Sequence, residues 1–163
     1  MFPATDERLS LPIEQGVLLW CIRVWVADLR QAPQQQEAGA AQRIPDMLAR
    51  LGAAGAAAYF EGFMFALSHG ATKRIAVHCI CQPKVGADER ALLDAFGLAQ
   101  EARPFEALLL LRQLSTPAAA RSALRSAEGL AQAMTAAGRV LPAPDSEVAR
   151  FAMAAGGCGA TVH

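Results

Sequence analysis

The sequence predicts an all-α fold: a single-domain bundle of five to seven helices spanning residues 1–163, with an irregular segment that carries His and Cys. Three observations predict it. Alanine, the strongest helix former, supplies about a fifth of the residues. Aromatic residues reach only 6%, and β-branched residues, the other usual strand formers, are sparse. Apolar residues recur at three- and four-residue spacing along most of the chain. With 163 residues and 53% hydrophobic content, the chain can bury a core without metal or disulfide staples.

The first helix is expected from about Pro12 to Gln31. Proline is tolerated in a first turn, and Ile13, Val17, Trp20 and Val24 share one face beside Leu18, Cys21 and Trp25. The stretch APQQQEAGAAQRIP has no periodicity, so residues 32–44 read as a flexible loop. A second helix is expected from Pro45–Asp46 to Gly70, kinked near Gly52–Gly55 because glycine weakens helices. The small residues from Ala53 to Ala58 let another backbone come close.

Lys73–Val85 reads as irregular. A short helix from about Ala87 to Leu98 follows, with Asp88 and Glu89 in its first turn and Gly97 as its stop. Pro104 opens another helix through FEALLLLRQL. Thr116 then caps, and Pro117 begins, a long helix that reaches about Ala137 and stops at Gly138. Its apolar stripe is Ala120, Leu124, Ala127, Leu130, Ala131 and Met134. DSEVARFAMAA predicts one more short helix, and residues 156–163 a frayed, glycine-rich tail.

Formal net charge is zero and the pI is about 6.8, so the chain lacks the basic footprint of a nucleic-acid binder. MFPATDERLSLP has no basic start followed by an apolar run, so it does not read as a secretory signal. GVLLWCIRVWVADL is interrupted by Arg23, and LGAAGAAAYFEGFMFALSHGA carries Glu61. No membrane partner is therefore expected. A cytoplasmic protein with reduced thiols is expected instead. The near-neutral, alanine-rich composition favours self-association.

The chemistry-bearing stretch is IAVHCICQPKVGADE, Ile75–Glu89. In an extended chain Cys79 and Cys81 share one face and His78 takes the other, whereas a helix would point the thiols apart. Pro83 disfavours helix at Gln82. A metal reading takes His78, Cys79 and Cys81 as zinc or iron ligands, with Cys158 and His163 completing the set if the tail folds back. The C-x-C spacing is not that of a zinc ribbon, so no cofactor is expected. The favoured reading is that both thiols are small apolar residues of a buried segment. A third reading is a reactive thiol made acidic by Lys73, Arg74 or Lys84.

Glu61 reads as a buried functional carboxylate with a perturbed pKa, as a buried structural partner of Arg23, or as a solvent-facing group, and the last is favoured. His69 sits where a helix C-terminus favours positive charge. The sequence contains no phosphate-binding loop, dinucleotide fingerprint, nucleophile elbow or di-iron repeat, so no catalytic residue is assigned.

RIAVHCICQPKVGADERALLDAFG, followed by ARPFEALLLLRQL, resembles the central block of a small alphaproteobacterial family of helical proteins of unknown function. The resemblance covers about the middle half of the chain. It implies a helical fold and a bacterial source, and transfers no activity. The expected function is that of a non-enzymatic cytoplasmic protein acting through self-association, as a homodimer, or through a protein partner. The alternatives are a metal-binding or thiol-redox protein using His78, Cys79 and Cys81, and a binder of small apolar ligands through Trp20, Trp25, Phe60 and Phe63.

Overall fold

In the computed structural model, which describes residues 6–31 and 40–145, helices follow the apolar runs and end at glycine, proline or a short polar turn. A 3-10 turn, Glu7–Ser10, precedes α1 (Ile13–Arg30), α2 (Ala40–Arg50), α3 (Ala56–Gly70), α4 (Ala87–Gln100), α5 (Pro104–Leu114) and α6 (Pro117–Ala136). Among the described residues there is no strand, only an isolated bridge between Ala71 and Ser115. The fold is the all-α bundle the composition predicts. No described helix is long and apolar enough to cross a membrane.

The helix boundaries show which local signals prevail. Thr116 caps α6 by accepting a hydrogen bond from the Ala119 amide. Gly138, at φ +71°, closes the same helix while the Arg139 amide donates to the Met134 carbonyl at 2.9 Å. The expected loop over 32–44 is corrected in part. Residues 40–44 are helical, and residues 32–39 lie outside the described ones. α2 runs through Pro45, which removes one intrahelical bond. Its apolar side, with Ile44, Met47 and Leu48, offsets that loss by packing on the core.

The expected kink at Gly52–Gly55 is a full break. Gly52 takes φ +79°, its amide donates to the Ala49 carbonyl at 2.9 Å, and the Ala53 amide donates to Leu48 at 3.0 Å. This left-handed glycine cap ends α2 and lets α3 start in a new direction.

Gly97 does not stop α4. It lies inside the helix because the chain at Pro142 packs directly on it; a Cβ there would collide with the Pro142 carbonyl. The stop falls instead at Ala102, which adopts φ 57° while the Arg103 amide donates to Leu98 at 2.9 Å. An L-residue in that conformation costs about 1–2 kcal/mol relative to a right-handed one. Tertiary packing of Gly97 thus overrides the nearer glycine as a terminator.

α3 and α6 share the most extensive helix–helix contact. Small residues make it close: a Cβ on Gly70 would meet Ala119, and one on Gly129 would meet the Tyr59 ring. Phe63 of α3 packs on Phe96 of α4 with ring centroids 4.4 Å apart and planes tilted by 42°. Leu18 and Ile22 of α1 and Leu130 of α6 complete this core. Ile13, expected on the buried face of α1, is 64% exposed. After α6 the chain returns across the bundle, where the Leu141 amide donates to Gln100 Oε1 at 2.5 Å and Arg139 Nε donates to the Leu51 carbonyl at 3.0 Å. The helix expected in DSEVARFAMAA and the tail at 156–163 lie beyond Asp145, outside the described residues.

Candidate functional site

α3 ends at Gly70 and α4 begins at Ala87, so the chain between them carries the His and Cys residues without a helix or sheet of its own. Such a segment needs partners for its backbone groups. One buried ion pair supplies many of them. Arg23 projects from α1, and Glu89 sits in the first turn of α4; their side chains are 1% and 0% exposed. Arg23 Nε donates to Glu89 Oε1 at 2.8 Å, and Nη2 donates to Oε2 at 2.9 Å. This fork is the strong, bidentate form of the Arg–carboxylate pair.

Both partners then grip the segment. Arg23 Nη1 donates to the Gln82 carbonyl and Nη2 to the Lys84 carbonyl, each at 2.7 Å. Glu89 accepts from the His78 amide at 3.0 Å and from the Gly86 amide at 2.9 Å. Burial alone pushes the Glu89 carboxyl up; the Arg23 guanidinium and the Gly86 and His78 amides outweigh it and hold the group below the usual carboxylate range. The 3-10 turn closes over the outer side. Arg8 Nη1 donates to the Ile80 carbonyl at 2.8 Å, and the Val85 amide donates to Glu7 Oε2 at 3.0 Å.

At the tip of this pinned segment the Gln82 amide donates to the Cys79 carbonyl at 3.1 Å, closing a turn. The turn brings Cys79 Sγ and Cys81 Sγ to 2.8 Å from each other. Both cysteines are exposed, which corrects the expectation that they are buried packing. The reason is visible in their neighbours: Val77 turns into the core, and the chain beyond it lifts away into the turn.

The two thiols are not equivalent. The hydrogen bond shared with the Cys81 thiol holds the Cys79 thiol below its ordinary pKa, helped by the Cys81 and Gln82 amides and by the charge of Arg23. Cys81 is pushed up, first by that shared hydrogen bond and then by the negative charge on Cys79. Cys21 contrasts with both. It is fully buried in α1, and burial pushes its thiol up to about 12.

The predicted metal set is only partly assembled. The imidazole of His78 turns toward Glu89, with Nδ1 3.3 Å from Oε2, while the thiols face each other. Cys158 and His163 lie outside the described residues. Among the described residues no group of three or more His, Cys, Asp and Glu side chains is placed to hold a metal ion.

The aromatic set expected to line one pocket is divided. Trp25 and Phe60 border a cleft of about 510 Å³ together with Asp28 and Glu61. Phe63 is committed to Phe96, and Trp20 lies under the Arg43 guanidinium at 5.7 Å. Glu61 is exposed, as favoured, and the partner of Arg23 is Glu89. Sequence reasoning missed Glu89 as a site residue. The available signal was Arg23 itself, because an arginine inside an apolar helix requires a buried acceptor. Asp94 was missed too; it borders a cleft beside α5, and burial pushes its carboxyl up to about 6 against the pull of Arg90.

In comparisons with known proteins, no family model, no curated protein and no solved structure matches this chain.

Proposed function

We propose that the protein carries out thiol–disulfide exchange, with Cys79 as the attacking group and Cys81 as the resolving one. The observation that carries this reading is the 2.8 Å approach of two exposed sulfurs on a turn pinned by buried charges. In the exchange, the Cys79 thiolate attacks one sulfur of a disulfide and displaces the other as a thiolate. Cys81 then gives up its proton and attacks Cys79 Sγ, forming the Cys79–Cys81 disulfide and displacing the second thiolate. The bound disulfide gains two electrons, the cysteine pair loses two, and its two protons pass to the released thiolates. The reverse sequence delivers a disulfide to a partner dithiol.

Exchange needs a thiolate at the first step and a nearby second thiol at the next. The lowered pKa of Cys79 and the position of Cys81 meet both needs. The orientation of His78 toward Glu89 supports exchange over a tetrahedral metal centre built on the same three residues.

The test is reaction of the reduced Cys158→Ser protein with an excess of an aromatic disulfide that releases a coloured thiol. The expected result is fast release of two thiols per chain from a protein that ends two hydrogens lighter and carries no adduct. Two separate aromatic adducts on Cys79 and Cys81, or no fast release, would contradict the proposal.

A further inference from the structure

Trp25 and Leu29 of α1 are shared by two clefts of opposite character. The larger is bordered by two acids, Asp28 and Glu61, and among the described residues by no lysine or arginine. The smaller, of about 220 Å³, lies between α1, α3, the start of α4 and the chain leading to the thiol turn. Its buried lining is aliphatic: Met64, Leu67, Val77 and Leu92. Lys73 and Arg74 complete it, and among the described residues no acid does.

These two cations differ. Lys73 Nζ is paired with Asp88 Oδ1 at 2.9 Å. Arg74 is exposed and forms no hydrogen bond or ion pair among the described residues. The cleft therefore joins an aliphatic floor to one uncompensated guanidinium, the group best shaped to receive a carboxylate in two parallel hydrogen bonds. Its volume falls below the usual range for drug-sized ligands, which limits the occupant to a short chain. The acidic neighbour repels the same ligand from the larger cleft.

We infer that this smaller cleft binds an amphipathic anion, a short unbranched aliphatic chain ending in a carboxylate. The chain lies on Leu67, Val77 and Leu92, and the carboxylate meets Arg74. The site is independent of the thiol reading, and either can fail alone.

The test is calorimetric titration of the full chain with straight-chain alkanoates from butanoate to decanoate, kept below micelle formation, with alkylamines of equal length as charge controls. The expected result is a Kd that falls about fourfold for each added methylene until the cleft is filled, then levels off. Amines of equal length should bind at least about tenfold more weakly. Arg74→Gln should weaken every alkanoate by a similar factor, about three- to tenfold, without changing the chain-length dependence. Ser68→Phe, on an exposed position of α3 that also lines the cleft, should make the series level off at a shorter chain. Absence of binding through decanoate, equal affinity for amines, or full affinity in Arg74→Gln would each overturn the inference.

Discussion

Replacing Glu89 with alanine is expected to lower the stability of the fold by about 3–5 kcal/mol, measured as the shift of the urea or thermal unfolding transition. The size follows from what the substitution leaves behind. The guanidinium of Arg23 is 1% exposed and, among the described residues, has Glu89 as its only carboxylate at ion-pair distance. Without Glu89 it becomes a buried, uncompensated charge. The amides of His78 and Gly86 lose their acceptor in the same step. A double replacement, Arg23→Met with Glu89→Leu, removes both charges and is expected to cost less than the single change, because no charge stays buried alone.

The same pair sets an acid limit. The Glu89 carboxyl has a folded pKa below its unfolded value of 4.5. The unfolded chain therefore binds the proton first as the pH falls. The contribution of Glu89 is complete above pH 4.5 and is lost as the pH drops from there through the folded value. The Glu89→Ala protein should lack this part of the acid sensitivity.

Removing the two thiols one at a time should separate their roles. Cys79→Ser leaves Cys81 as the one thiol of the turn, without the Gln82 amide and the Arg23 charge that acidify position 79, so attack on a disulfide at neutral pH should slow by about tenfold and yield no disulfide within the turn. Cys81→Ser should still attack, but the reaction should halt at a mixed disulfide on Cys79. Its release then depends on an outside thiol. Loss of a neighbour already in contact converts an intramolecular step into a bimolecular one, which slows resolution by orders of magnitude. Stopped-flow rates and the mass of the trapped adduct distinguish the two variants.

Much of the fold was legible because its signals are local. Thr116, Pro117 and Gly138 bracket α6, and Pro104 opens α5, through capping rules that need no knowledge of the rest of the chain. The signals that misled were overruled by distant contacts. Gly97 reads as a stop, yet it is spent on the passage of Pro142, and Ala102 takes the left-handed turn. Pro45 reads as a helix start, yet the apolar side of α2 carries the helix through it.

The site divides the same way. Cys79 and Cys81 stood out by spacing, and the non-helical reading placed them together. Their exposure was not legible, because Ile75, Val77 and Ile80 make the stretch look apolar, while the turn at Ile80 and Cys81 lifts both thiols, and Ile80 with them, outward. The pairing of Arg23 with Glu89 joins residues 66 apart in sequence, and no periodicity connects them. Glu61, in the apolar run, was the partner the sequence offered, and it faces solvent.

The most direct measurement is an equilibrium redox titration of the full chain in buffers of reduced and oxidised glutathione, read by mass and by mapping of the Cys79–Cys81 peptide. A single two-electron transition, with loss of two hydrogens confined to that peptide, is the predicted result. If Cys79 and Cys81 instead gain separate glutathione adducts at every poise, with no disulfide between them, they do not act as one dithiol, and the proposal of exchange is contradicted.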